Sequence, residues 1–154
     1  MAYRTIILKG DPIRKELKVG GAITRGHLCS RNSARNVVVH PTAGGNASAI
    51  FAIEDSLQGN EIDDAYALND RVHLAYFSSG MEVVGILTTS QTVVIGDLLE
   101  SVGNGRLRKH TVQAADSIGA LEAGETIPTN PAIVRAIEAV TTTGATARIA
   151  CEVV

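Results

Sequence analysis

A chain of 154 residues with 45% apolar and only 19% charged side chains can fill one core, yet carries little charge for the surface of a solitary monomer. A net charge of -2 and a pI near 6.1 argue against a protein built mainly to grip nucleic acid, and no Trp with 3% aromatics argues against base-stacking platforms. Two widely spaced cysteines, Cys29 and Cys151, read as buried reduced thiols, and no run of ~18 apolar residues is available to span a membrane.

The chain opens on "YRTIILKGDPI", more apolar than a lone tail can bury and too short for a signal-peptide core. The product is therefore expected to stay in the compartment where it is made. Two readings stay open for this stretch. It is an extended arm whose Tyr3, Arg4, Ile6, Ile7 and Leu8 add to a neighbour's sheet edge, or an edge strand of the protein's own barrel. On the first reading, removing residues 2–13 weakens docking and leaves a folded body. "IRKELKVGG" follows with mixed charges and reads as an exposed link, which sets residues 1–19 apart from a body over 20–154.

Strand patterns then recur between turn signals. They are "NVVVH" (36–40), "SAIFAIEDS" (48–56), "RVHLAYF" (71–77), "MEVVGIL" (81–87), "QTVVIG" (91–96) and "TARIACEVV" (146–154). The last alternates, with Ala147, Ile149, Cys151 and Val153 on one face. The fold class read from this is mainly β, in a single domain with little helix.

"GDLLESVGNGRLRKHT" (96–111) poses a choice between a phosphate loop and a hairpin. A phosphate loop needs a helix N-terminus after its glycines, and none follows. Asn104-Gly105 is instead a strong hairpin signal, because both residues tolerate positive φ. Beyond it Arg106, Arg108 and His110 fall on one strand face, with Leu107 and Lys109 on the other. "TNPAIVRAIEAV" (129–140) has helix-start chemistry, but an internal repeat argues otherwise. "GHLCSRNSARNVVVH" (26–40) parallels "GDLLESVGNGRLRKH" (96–110), and Ala52-Ile53-Glu54 parallels Ala136-Ile137-Glu138. The first copy of the second block reads as a strand, so 133–139 is expected to be a strand too, and the duplication spans 26–55 and 96–139.

No pattern for chemistry stands out. There is no GxSxG elbow, no HxH or HExxH, and neither cysteine sits in an activating motif. The acidic "NEIDDAY" (60–66) lacks the calcium-loop spacing and reads as a solvated turn. No catalytic, cofactor or metal residue is assigned, and no enzymatic activity is expected.

The Gly-x-Leu element, the Ala-Ile-Glu strand and the closing alternating strand, from about Gly20 onward, resemble the capsid decoration (head cement) proteins of tailed bacteriophages. Arg25-Gly26 stands where such relatives often carry Pro-Gly. The resemblance implies a compact β-barrel-like or β-tulip-like body with an extended N-terminal arm, assembled as a homotrimer, or in some members a dimer, on the outer surface of the virion capsid. The implied partner is the major capsid protein, whose subunits it bridges against the pressure of packaged DNA, with no direct nucleic-acid or membrane contact. Besides the N-terminal residues, Arg106, Arg108 and Lys109 are candidates to meet an acidic capsid surface. The alternatives are a nucleic-acid-binding β-barrel, motivated by Arg106–His110, and a trimeric dUTPase-like nucleotide hydrolase, motivated by "GNEIDDAY".

Overall fold

The computed structural model of the protein describes residues 2–111 and 132–154. Among them the fold is mainly β, with one short 3-10 turn at Ser56–Gln58. A leading strand, β1 (Ile7–Lys9), is followed by fourteen strands in two series of seven. The first series is β2 (Ile13–Lys18), β3 (Ile23–Thr24), β4 (Cys29–Arg31), β5 (Val37–Val39), β6 (Ile50–Ala52), β7 (Ala65–Tyr66) and β8 (Arg71–Tyr76). The second is β9 (Glu82–Leu87), β10 (Thr92–Val93), β11 (Leu98–Ser101), β12 (Leu107–Lys109), β13 (Val134–Ala136), β14 (Val140–Thr141) and β15 (Ala147–Val153).

The pairings of one series repeat in the other. The second closes a five-stranded barrel in the order β9-β12-β11-β13-β15, with β15 returning to β9 over six residue pairs. The first makes the same ring more loosely: β2-β8-β6 and the β4-β5 hairpin are joined by single bridges, Leu28 to Phe51 and Val19 to Val37. The small flanking pairs β3-β7 and β10-β14 also correspond. The shared motifs sit at matching points. Gly26 N donates to Ala52 O (2.8 Å) and Gly96 N to Ala136 O (2.9 Å). Both glycines hold positive φ, +91° and +93°, a conformation costly for any side chain-bearing residue.

Each ring has its own core. Val19, Ile23, Val37, Val72 and Leu74 fill the first. Val83, Leu87, Leu99, Leu107, Ile149 and Cys151 centre the second, which also takes Phe51 and Phe77 from the first half in an edge-to-face pair 5.9 Å apart. The two halves are thus one packed body. On β15 the predicted inward residues Ile149, Cys151 and Val153 are buried at 0%, 0% and 5% exposure.

Some sequence expectations need correction. "IRKELK" is not a link but strand β2, paired with β8 at six positions from Ile13–Tyr76 to Lys18–Arg71. Its charges are compatible with a strand because its residues, Leu17 apart, are exposed. "QTVVIG" pairs only at Thr92–Val93, because the Asp97 carboxylate accepts from Val94 N (2.9 Å) and turns the chain there. Val94 and Ile95 are left exposed on that turn. Residues 134–136 form a strand, as the repeat predicts, whereas Thr129, Asn130 and Pro131 lie outside the described residues.

Candidate functional site

The N-terminal segment packs along its own body. Ile6 is fully buried in the larger core, and Tyr3, Ile7 and Leu8 pack against that core. β1 pairs with β9, Ile7 opposite Val83, and Val84 N donates to Ile6 O (2.8 Å). The two repeated glutamates hold the segment. Glu54 accepts from the Thr5 hydroxyl and from Ile6 N (3.0 Å), and Glu138 accepts from the Tyr3 hydroxyl and from Ala150 N (2.7 Å). Burial, then the Glu138 carboxylate, pushes the Tyr3 phenol above its ordinary range. The edge-strand reading is therefore the one observed. Ile6 is corrected from a docking residue to a core residue, because a buried side chain has no surface to offer. Of the five N-terminal candidates Arg4 is exposed.

The hairpin candidates are likewise engaged within the chain. β11 and β12 form the expected antiparallel pair, but the positive φ falls on Gly103 (+97°) and Gly105 (+75°) rather than on Asn104. Both glycines are needed because the first half comes close. A Cβ on Gly103 would lie 2.9 Å from Ala43 N, and Gly105 O accepts from Leu28 N at 2.7 Å. Beneath this seam Glu100, 4% exposed, accepts from Nε and Nη2 of Arg108 (both 2.7 Å) and contacts His110 Nδ1 (2.6 Å). Arg108 is accordingly an internal ion-pair partner rather than a cation free for a capsid. Lys109 pairs with Asp97 at 2.8 Å, and the Asp97 hydrogen bond to Lys109 holds that carboxyl below its usual range. Arg106 is half-buried at the turn.

His40 and His110 occupy matching places after β5 and β12, their amides donating to Leu28 O (2.9 Å) and Leu98 O (2.7 Å). His40 Nδ1 lies 2.8 Å from the Ser101 hydroxyl, a nucleophile-base spacing, but Ser101 is fully buried and Gly103 N donates to the same oxygen (3.1 Å). The Ser101 hydroxyl thus has no exposed surface of its own. Burial pushes the Cys29 thiol up to about 12 and raises Cys151 as well, so neither is poised as a nucleophile. The acidic stretch is spent on structure: Asp64 accepts from Glu61 N (2.6 Å), and Asp63 pairs with Arg148 (3.0 Å). Among the described residues no group of three or more His, Cys, Asp or Glu is placed to hold a metal.

Two positively charged features escape a sequence reading. Arg25 is 1% exposed, its guanidinium 4.1 Å from the Tyr66 ring centre, with Nε and Nη1 meeting no protein acceptor. The second is a groove of about 520 Å³ at the mouth of the first ring. Tyr76 stands in it between two cations: Lys15 Nζ lies 4.8 Å from the ring centre, and Arg31 Nη2 donates to the hydroxyl at 3.1 Å. Cys29, His40 and Ile50 also line the groove, and its lining contains no carboxylate among the described residues.

His27 gives a pH test of the seam. Its Nδ1 accepts from Thr24 N at 3.1 Å, so the ring must be unprotonated there. Burial, then Arg106 and Arg148, lower its pKa from 6.5 to about 4. The unfolded chain therefore takes up this proton first as pH falls. The His27 contribution to stability should be constant above pH 6.5, decline between 6.5 and 4, and level off below. With the ring still partly open to solvent, the loss is about 1–2 kcal/mol. Urea midpoints across this range should show it as a difference between the parent and His27→Gln, which has nothing to titrate.

No family model matches the chain, and no curated protein matches it. Among solved structures, the head fiber gp8.5 N base in bacteriophage phi29 is similar at a TM-score of 0.55, over 94% of this chain and 95% of that one. Only 6% of residues are identical, so the likeness is one of fold. The duplicated β body described above has a structural neighbour in a phage head protein.

Proposed function

We propose that this protein is a structural component of a tailed-phage virion, a decoration protein that sits on the outside of the expanded head and bridges major capsid subunits. The observation that carries this reading is the end-to-end fold likeness to a phage head fiber base. The work is mechanical rather than catalytic. A protein that binds only the expanded lattice stabilises it by mass action. Assembly as a homotrimer multiplies modest contacts, because the second and third engage at high effective concentration. Exposed apolar side chains at Leu57, Leu68, Val94 and Ile95 supply contact area for interfaces of roughly 800 Å² per partner.

Purified protein mixed with expanded, undecorated heads should co-sediment saturably at micromolar concentration, and the treated heads should resist heat-induced DNA release. Heads that leave the protein in the supernatant would overturn the reading.

A further inference from the structure

The two rings do not end alike. Ile53 N donates to His73 O (2.9 Å) and Ile137 N to Ala150 O (3.1 Å), so Leu74 corresponds to Cys151. Their cross-strand partners, Lys15 and Val83, then correspond as well. By the same register Tyr76 stands where Val153 stands. In the second ring Val83 and Val153 are buried, and β1 lies along the edge of β9 with Ile7 opposite Val83. In the first ring Lys15 and Arg14 are exposed. Among the described residues β2 has β8 on one side and, on the other, only the bridge from Val19 to Val37 beyond its far end. Among the described residues no strand lies along the edge beside Arg14 and Lys15 as β1 lies along β9.

We propose that this edge, with the groove beside it, takes one extended acidic segment of a partner protein. The segment adds as a strand next to Arg14 and Lys15, and its carboxylates meet the Lys15 ammonium and the Arg31 guanidinium. Two independent features converge on this occupant. The vacant edge offers backbone groups for strand addition, in the place where the other half already accepts a strand. The lining offers two cations and no carboxylate. Charge also selects against the obvious rival: β2 carries Arg14, Lys15 and Lys18 against Glu16, so a second copy of this edge is repelled. The assignment goes beyond the head-binding reading, since it names ligand chemistry and holds whichever protein supplies the segment.

The probe is a fluorescein-labelled, end-blocked peptide, Val-Asp-Val-Asp-Val-Asp, whose alternation puts all carboxylates on one face. Anisotropy with the full chain should show saturable binding that weakens as salt is added. The double variant Lys15→Glu/Arg31→Glu should bind at least about 10-fold more weakly, while its circular dichroism and melting match the parent because both side chains are exposed. Amide shifts on peptide addition should cluster at residues 14–16, 31 and 76. The proposal is overturned by no binding up to ~1 mM, by equal binding to the double variant, or by equal competition from an Asn-for-Asp peptide or a short oligothymidylate. Peptide binding without head sedimentation would sink the head reading and leave the groove. Head sedimentation with no peptide binding would sink the groove alone.

Discussion

Glu100→Ala should lower the unfolding free energy by about 3–5 kcal/mol, the loss that follows when one member of a buried ion pair leaves the other unmatched. Glu100 joins the strand partner Arg108 and His110, so its removal deprives two groups at once. The Arg108 side chain keeps 37% exposure and can turn partly to water, which places the value at the lower end. Gln at the same position keeps the shape and one acceptor oxygen, and should cost about 1–3 kcal/mol. Replacing both partners, as Glu100→Met with Arg108→Leu, should recover most of the loss, since apolar packing can substitute for a buried pair. Urea unfolding followed by circular dichroism separates the three. A loss in Glu100→Ala below about 1 kcal/mol would mean that water reaches this seam, since pairs open to solvent are worth that little.

That seam also marks where the sequence was legible. The glycine of Gly-x-Leu stands out in both copies because each holds a positive φ while its amide donates to an alanine carbonyl. Ala-Ile-Glu recurs because Ala52 and Ala136 are sealed inside while Glu54 and Glu138 each hold the N-terminal segment. The rest of the duplication is invisible residue by residue. Strand pairing is a backbone property, so Lys15 and Val83 can occupy one register position with nothing in common chemically. Arg25 was hidden for the opposite reason. Charges are expected outside, and nothing local says that Tyr66 will take a guanidinium onto its face. The alternation of cations in "RLRK" is legible, but alternation does not say that a buried glutamate waits across the hairpin for Arg108.

Removing residues 2–9 should destabilise the protein by at least about 4 kcal/mol, a large share of the ~5–15 kcal/mol typical of a whole domain. Loss of the buried Ile6 side chain alone costs about 2–4 kcal/mol. The truncation also strips the Thr5, Ile6 and Tyr3 donors from Glu54 and Glu138, hydrogen bonds to charged groups worth about 1.5–3 kcal/mol each before solvent replaces them. Finally it bares the β9 edge and opens the larger core to water. Point variants apportion the effect. Ile6→Ala should carry roughly half of it, Tyr3→Phe about 1 kcal/mol, and the exposed Arg4→Glu less than about 0.5 kcal/mol. Chemical denaturation gives these values, and binding of an apolar dye reports the opened core. If the truncated chain unfolded at the parent's midpoint, the segment would contribute nothing to its own body. Docking to a neighbour would then be the better account of its apolar residues.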